Sequence, residues 1–87
     1  MKIKKGSVLR VVGGDNIVVP IGEMSKSFHG MINLNETGAF LWRFFSEEHT
    51  EEEAIDALCN EYEADREQVA SDVNRFIEIL TKNGFCE

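Results

Sequence analysis

Hydrophobic positions change period once along this 87-residue chain, and the change divides it into two unlike parts. From Ser7 to Val12 the residues are β-branched and apolar, and Asn16 to Ile21 is β-rich again. Gly13-Gly14-Asp15-Asn16 between them supplies residues that tolerate positive φ, so the two runs predict a hairpin. Pro20 has no N–H to donate to a ladder, which places it on an edge or near a strand end. Gly22 to Ser27 reads as a polar loop. Phe28 to Leu34 reads as a third short strand with Met31-Ile32 at its centre.

From Asn35 onward the spacing is helical. Asn35 is a good N-cap, and Phe40, Leu41, Phe44 and Phe45 follow at helix spacing, predicting a first helix from about Glu36 to Ser46. Thr50-Glu51-Glu52-Glu53 has the form of a capping box and opens a second helix to about Glu63, with Ala54, Ile55, Leu58, Cys59 and Tyr62 on its apolar side. Asp65-Arg66-Glu67-Gln68 repeats the device with Gln68 in the return role. The third helix carries Val69, Val73, Phe76, Ile77 and Leu80 on one face and stops at Gly84, where Phe85 can fold back onto Leu80.

The predicted order is βββααα with short connections, over one domain spanning residues 1–87. Three short strands cannot cover two faces. The expected fold is therefore α+β, a three-stranded antiparallel sheet packed on one side by three helices, with the tight link at Ala64-Asp65 giving a winged helix-turn-helix shape.

Charge narrows what that shape can do. Nine bases against sixteen acids give a net charge of −7. Residues 1–34 hold five bases and two acids, so the remainder holds four bases and fourteen acids. The third helix balances Arg66, Arg75 and Lys82 against Glu67, Asp72 and Glu78, and the second has no base at all. Duplex binders present a basic face, so a winged-helix nucleic-acid-binding or regulatory protein is the alternative reading and not the leading one. The longest stretch without a charge, Ser27–Asn35, is far short of the roughly 20 residues a membrane span requires. No apolar run follows Met1-Lys2-Ile3-Lys4-Lys5, so a cytoplasmic location is expected.

Candidate chemistry is sparse. Gly13-Gly14 joins strands and opens no helix, so it is a turn and not a phosphate loop. Cys59 and Cys86 form no CxxC pair, and His29 and His49 have no partner at metal-ligand spacing. No catalytic residue, metal or cofactor is expected, which leaves a small acidic binding module.

Leu34-Asn35-Glu36-Thr37 followed by Trp42, then Asp72-Val73, Phe76, Leu80 and Gly84, resembles the PqqD-like family, most closely in Gly30–Phe45 and Tyr62–Phe85. These are recognition elements of pathways that modify ribosomally made peptides. The chain departs from its relatives between the first two helices, where they often carry a glycine and it has Ser46-Glu47-Glu48-His49. The resemblance implies three strands followed by three helices. It also implies a non-catalytic module that binds the leader segment of a precursor peptide and presents it to a modifying enzyme, often a radical S-adenosylmethionine maturase.

A binding mode follows from the pattern. The third strand is short and leads directly into a helix, so it is expected at a sheet edge, where an extended peptide can add as a strand. His29, Gly30, Met31, Ile32, Asn33 and Leu34 would supply that edge. On the third helix Gln68, Asp72, Arg75 and Ile79 form a stripe beside the core face, and Ile79 is an apolar residue outside that face. Asp72, Arg75, Phe76 and Ile79 are accordingly the expected side-chain contacts, with Lys26 and His29 adding one to an acidic leader. An open edge also permits a homodimer by self-pairing. Trp42 is expected as a core anchor.

Overall fold

The computed structural model describes residues 1–22 and 32–87. Its elements run β1 (Ser7–Val12), β2 (Asp15–Pro20), β3 (Ile32–Leu34), α1 (Glu36–Phe44), α2 (Glu51–Glu61) and α3 (Arg66–Lys82), which is the βββααα order expected. The sheet is antiparallel in the order β1-β2-β3, so β3 lies at an edge. The predicted start of the third strand, Phe28–Met31, lies outside the described residues.

Hairpin geometry sets the rest of the sheet. Gly13 (φ 58°) and Gly14 (φ 87°) alone separate Val12 from Asp15, a two-residue turn with both central residues at positive φ. Such a loop makes Val12 and Asp15 a hydrogen-bonded pair, and β2 therefore begins one residue earlier than its β-branched run. Alternation then turns the main-chain groups of Asp15, Ile17 and Val19 toward β1, and those of Asn16, Val18 and Pro20 toward β3. Ile21 keeps the parity, its N–H donating to the Gly6 carbonyl at 2.7 Å. Pro20 ends the central strand, and its missing N–H faces away from β1, one step past the Val18↔Ile32 pair.

Side chains alternate with the same period. Val18, fully buried, shares a face with Leu9, Ile32 and Leu34, and that face meets the helices. The core joins Leu41, Trp42 and Phe45, then Ala54 and Leu58 of α2, and Val69, Val73, Phe76 and Leu80 of α3. Trp42 is the anchor expected, edge-on to Phe85 with centroids 6.1 Å apart. Phe45 and Phe85 are completely buried. Each contributes about 2–3 kcal/mol of hydrophobic stabilisation.

Three of the four predicted helix caps form as the sequence implies. Asn35 Oδ1 accepts the Gly38 N–H at 2.8 Å. The Thr50 hydroxyl accepts the Glu53 N–H while the Thr50 N–H donates to Glu53 Oε1 at 2.7 Å, the reciprocal box. At Gly84 (φ 77°) the Phe85 N–H donates to Leu80 O and the Gly84 N–H to Thr81 O, which are the two bonds of a Schellman motif. The fourth differs. Asp65 caps α3 without a side-chain bond, and the Gln68 side chain donates to Asp72 at 3.1 Å instead of returning to the cap. α1 and α2 also stop two residues short of the predicted ends, at Phe44 and Glu61, since Phe45 turns inward as a core residue and Tyr62 is already extended.

One pairing has no forerunner in the pattern. Ile3 bridges Cys86, with Ile3 N–H donating to Phe45 O, Lys4 N–H to Phe85 O and Glu87 N–H to Lys2 O. A single buried isoleucine among lysines carries too weak a period to signal it.

Candidate functional site

The parity of the hairpin determines what β3 offers to a ligand. Ile32 and Leu34 turn their main-chain groups toward Val18 and Asn16, so Asn33 turns its N–H and C=O to the open side. Its neighbours Ile32 and Leu34 point their side chains to the helix face, and the Asn33 side chain is exposed on the other.

Across from this edge runs the flank of α3. The two elements enclose a groove of about 360 Å³, to which β3 contributes Asn33 and Leu34 and α3 contributes Asp72, Arg75, Phe76 and Ile79. The remaining wall comes from the start of α1: Asn35, Thr37, Gly38 and Leu41. Six of the residues expected at the site therefore line one groove. Ile32 lies on the same strand but does not line it, and Lys26, His29, Gly30 and Met31 fall outside the described residues.

The α1 wall is what the sequence reading did not assign to the site. Asn35 and Thr37 have a structural role, since Thr37 Oγ1 donates to Asn35 Oδ1 at 3.1 Å and Asn35 caps the helix. Gly38 was the available signal. A glycine in the first turn of an amphipathic helix costs stability unless something approaches closely. Here a Cβ would stand 3.0 Å from Asn35 Oδ1 and 3.3 Å from Leu34 Cβ, so the glycine lets α1 start hard against the end of β3.

The groove has an apolar base and a charged margin. Phe76 is 8% exposed and belongs to the core, while Ile79, one turn on, is 45% exposed. Asp72 is held by Gln68, not by Arg75. No described acid lies within ion-pair distance of Arg75, so its guanidinium is uncommitted at the groove's edge. Arg66, by contrast, is clamped to Asp56 at 2.7 Å and joins α3 to α2.

A wider cleft of about 440 Å³ lies between the start of α2 and the end of α3. It borders no strand edge, and Asn74 already donates across it to Glu51 at 3.4 Å. Among the described residues no group of acids, histidines and cysteines is placed to hold a metal, and no helix is long and apolar enough to cross a membrane.

Comparisons with known proteins bear on the family and the fold. The family model for coenzyme PQQ synthesis protein D (PqqD) matches residues 17–85. Among solved structures, the chain is similar to one described as "TbiB1 in Complex with the TbiA(beta) Leader Peptide", at 25% identity and a TM-score of 0.77, covering all of this chain and 95% of that one. A comparison with curated proteins finds no match.

Proposed function

Since the chain belongs to the PqqD family, we propose that it is a non-catalytic module that binds the leader segment of a ribosomally made precursor peptide and presents it to a modifying enzyme. One observation carries this reading: the open edge of β3 and the flank of α3 that carries Arg75 and Ile79 line one groove. The likeness to TbiB1, a protein solved with a leader peptide, supports it. The leader adds as a fourth strand beside β3, using the Asn33 main chain for affinity and the α3 flank for choice of sequence. The partner proposed for delivery is a radical S-adenosylmethionine enzyme.

Isotope-shift mapping tests the mode, using the leader of a precursor encoded beside this chain. Shifts at Asn33, Leu34, Arg75 and Ile79 are expected. Shifts confined to the Gly13–Asn16 turn or to α2 would overturn it. The domain incubated alone with the precursor should leave its mass unchanged.

A further inference from the structure

We infer that the groove selects a leader bearing an acidic residue two positions from an apolar one, read by Arg75 and Ile79. This rests on the leader-binding reading and specifies its ligand. A peptide strand that pairs with β3 exchanges main-chain bonds with Asn33, the β3 residue whose groups face outward. In the antiparallel arrangement the peptide residue opposite Asn33 shares its exposed face. The residues on either side of it then point to the helix face of the sheet, the side on which Ile32 and Leu34 lie and on which Leu34 lines the groove. Those two positions are about 7 Å apart, the two-residue step of a strand.

The α3 flank has a matching step. Arg75 and Ile79 are one turn apart, a rise of about 6 Å. α3 lines the groove from Asp72 to Ile79, so it follows the peptide's path along the groove. One inward side chain of the peptide therefore meets Ile79 above Phe76 and Leu34, and the next meets Arg75. The chemistry of each meeting is set by what is left unsatisfied. Ile79 is nearly half exposed and gains from apolar cover. Arg75 is a cation with no ion-pair partner among the described residues, while the neighbouring Asp72 accepts from the neutral Gln68 amide and keeps its charge, so Arg75 is the group that attracts an acid here. A carboxylate fits Arg75, and a base there would face a like charge. In a chain of net charge −7 this is a local exception, so it discriminates by position and not by bulk attraction.

The test is selection from a random-peptide library displayed on phage, with the intact domain and with Arg75→Glu and Arg75→Gln. Arg75 is exposed and has no partner among the described residues, so both variants should fold as the parent does. The parent is expected to enrich peptides with Asp or Glu two positions from an aliphatic or aromatic residue. Arg75→Glu should replace that acid with Lys or Arg and keep the apolar position, and Arg75→Gln should relax the charged position alone. For a selected peptide, changing its acid to the neutral amide should weaken binding to the parent about fivefold and leave binding to Arg75→Gln unchanged. Enriched peptides that shift Asn33 and Ile79 but show no acid, or keep the acid with Arg75→Glu, would overturn this inference and leave leader binding standing. Peptides that shift only the turn or α2, or no enrichment at all, would overturn both.

Discussion

Ile79 and Phe76 are three residues apart on one helix and line one groove, yet they should fail in opposite ways when truncated. Ile79 is 45% exposed and Phe76 8%. Complete burial of an isoleucine side chain is worth about 1.5–3 kcal/mol, and roughly half of that surface is still open for a peptide to cover. Ile79→Ala should therefore cost about 1 kcal/mol of binding, a loss of about fivefold in affinity. The half already buried limits its effect on folding to about 1 kcal/mol. Phe76→Ala removes a core aromatic ring stacked on Phe45 at 6.4 Å, with an expected cost of about 3–5 kcal/mol. A chain of this size is stable by only about 4–13 kcal/mol, so that variant should be partly unfolded on warming and bind poorly for that reason. The assay pairs anisotropy of a labelled leader with a urea melt, read by the single buried tryptophan, Trp42. An Ile79→Ala protein that binds at full affinity would refute the groove, and a Phe76→Ala protein that melts like the parent would refute the division between core and margin.

Gly38→Ala would add about 1 kcal/mol of helix propensity in an open helix, but here it should lower both the urea midpoint and leader affinity, because its Cβ crowds Asn35 Oδ1 and the end of β3. A more stable variant would show that the close approach has room to relax. The Thr50 N–H, with the adjacent His49 imidazole adding a smaller effect, holds the Glu53 carboxyl below the usual carboxylate range. The sign follows from linkage: this contribution is present above the unfolded pKa and is lost as pH falls through the lower folded value. Melts between neutral and strongly acidic pH should thus show an acid-side loss that Glu53→Gln reduces; equal slopes would refute it. Duplex DNA should give no salt-sensitive binding in an anisotropy titration near physiological ionic strength, because α3 nets to zero and Arg66 is tied to Asp56. Micromolar affinity that falls steeply with salt would restore the nucleic-acid reading.

Much of this was legible in the sequence because several signals agreed at each element. The β1–β2 hairpin has a two-residue glycine turn between β-branched runs, and α3 has Val69, Val73, Phe76 and Leu80 at spacings of four, three and four with a glycine stop. Ile79 stood out as an apolar residue beyond the core face, and it is exposed as expected. What the pattern missed was decided by competition or by distance. Asp65 and Gln68 can form a capping box, in which the Gln68 side chain would accept the Asp65 N–H, but that side chain donates instead to Asp72 one turn later. The α1 wall was hidden because capping alone accounts for Asn35 and Thr37. The Ile3–Cys86 bridge joins the two ends of the chain, where no local period can speak.

The same alternation that buries the sheet also selects the groups it presents. For L-residues in a strand of given direction, the side-chain face and the side to which the main-chain groups turn are fixed together. Once Val18 is buried and Ile32 and Leu34 are drawn to the helices beside it, Asn33 has to expose its side chain and turn its N–H and C=O to the open edge. A slip of one residue would reverse both assignments, sending Asn33 into the core and moving the outward main-chain groups to Ile32 and Leu34. The burial cost of an asparagine without partners guards against that slip. The core that stabilises this small domain thus also fixes the register at which the proposed leader strand would add, and Arg75 and Ile79, one turn apart on the α3 flank, lie at the spacing that the proposal requires.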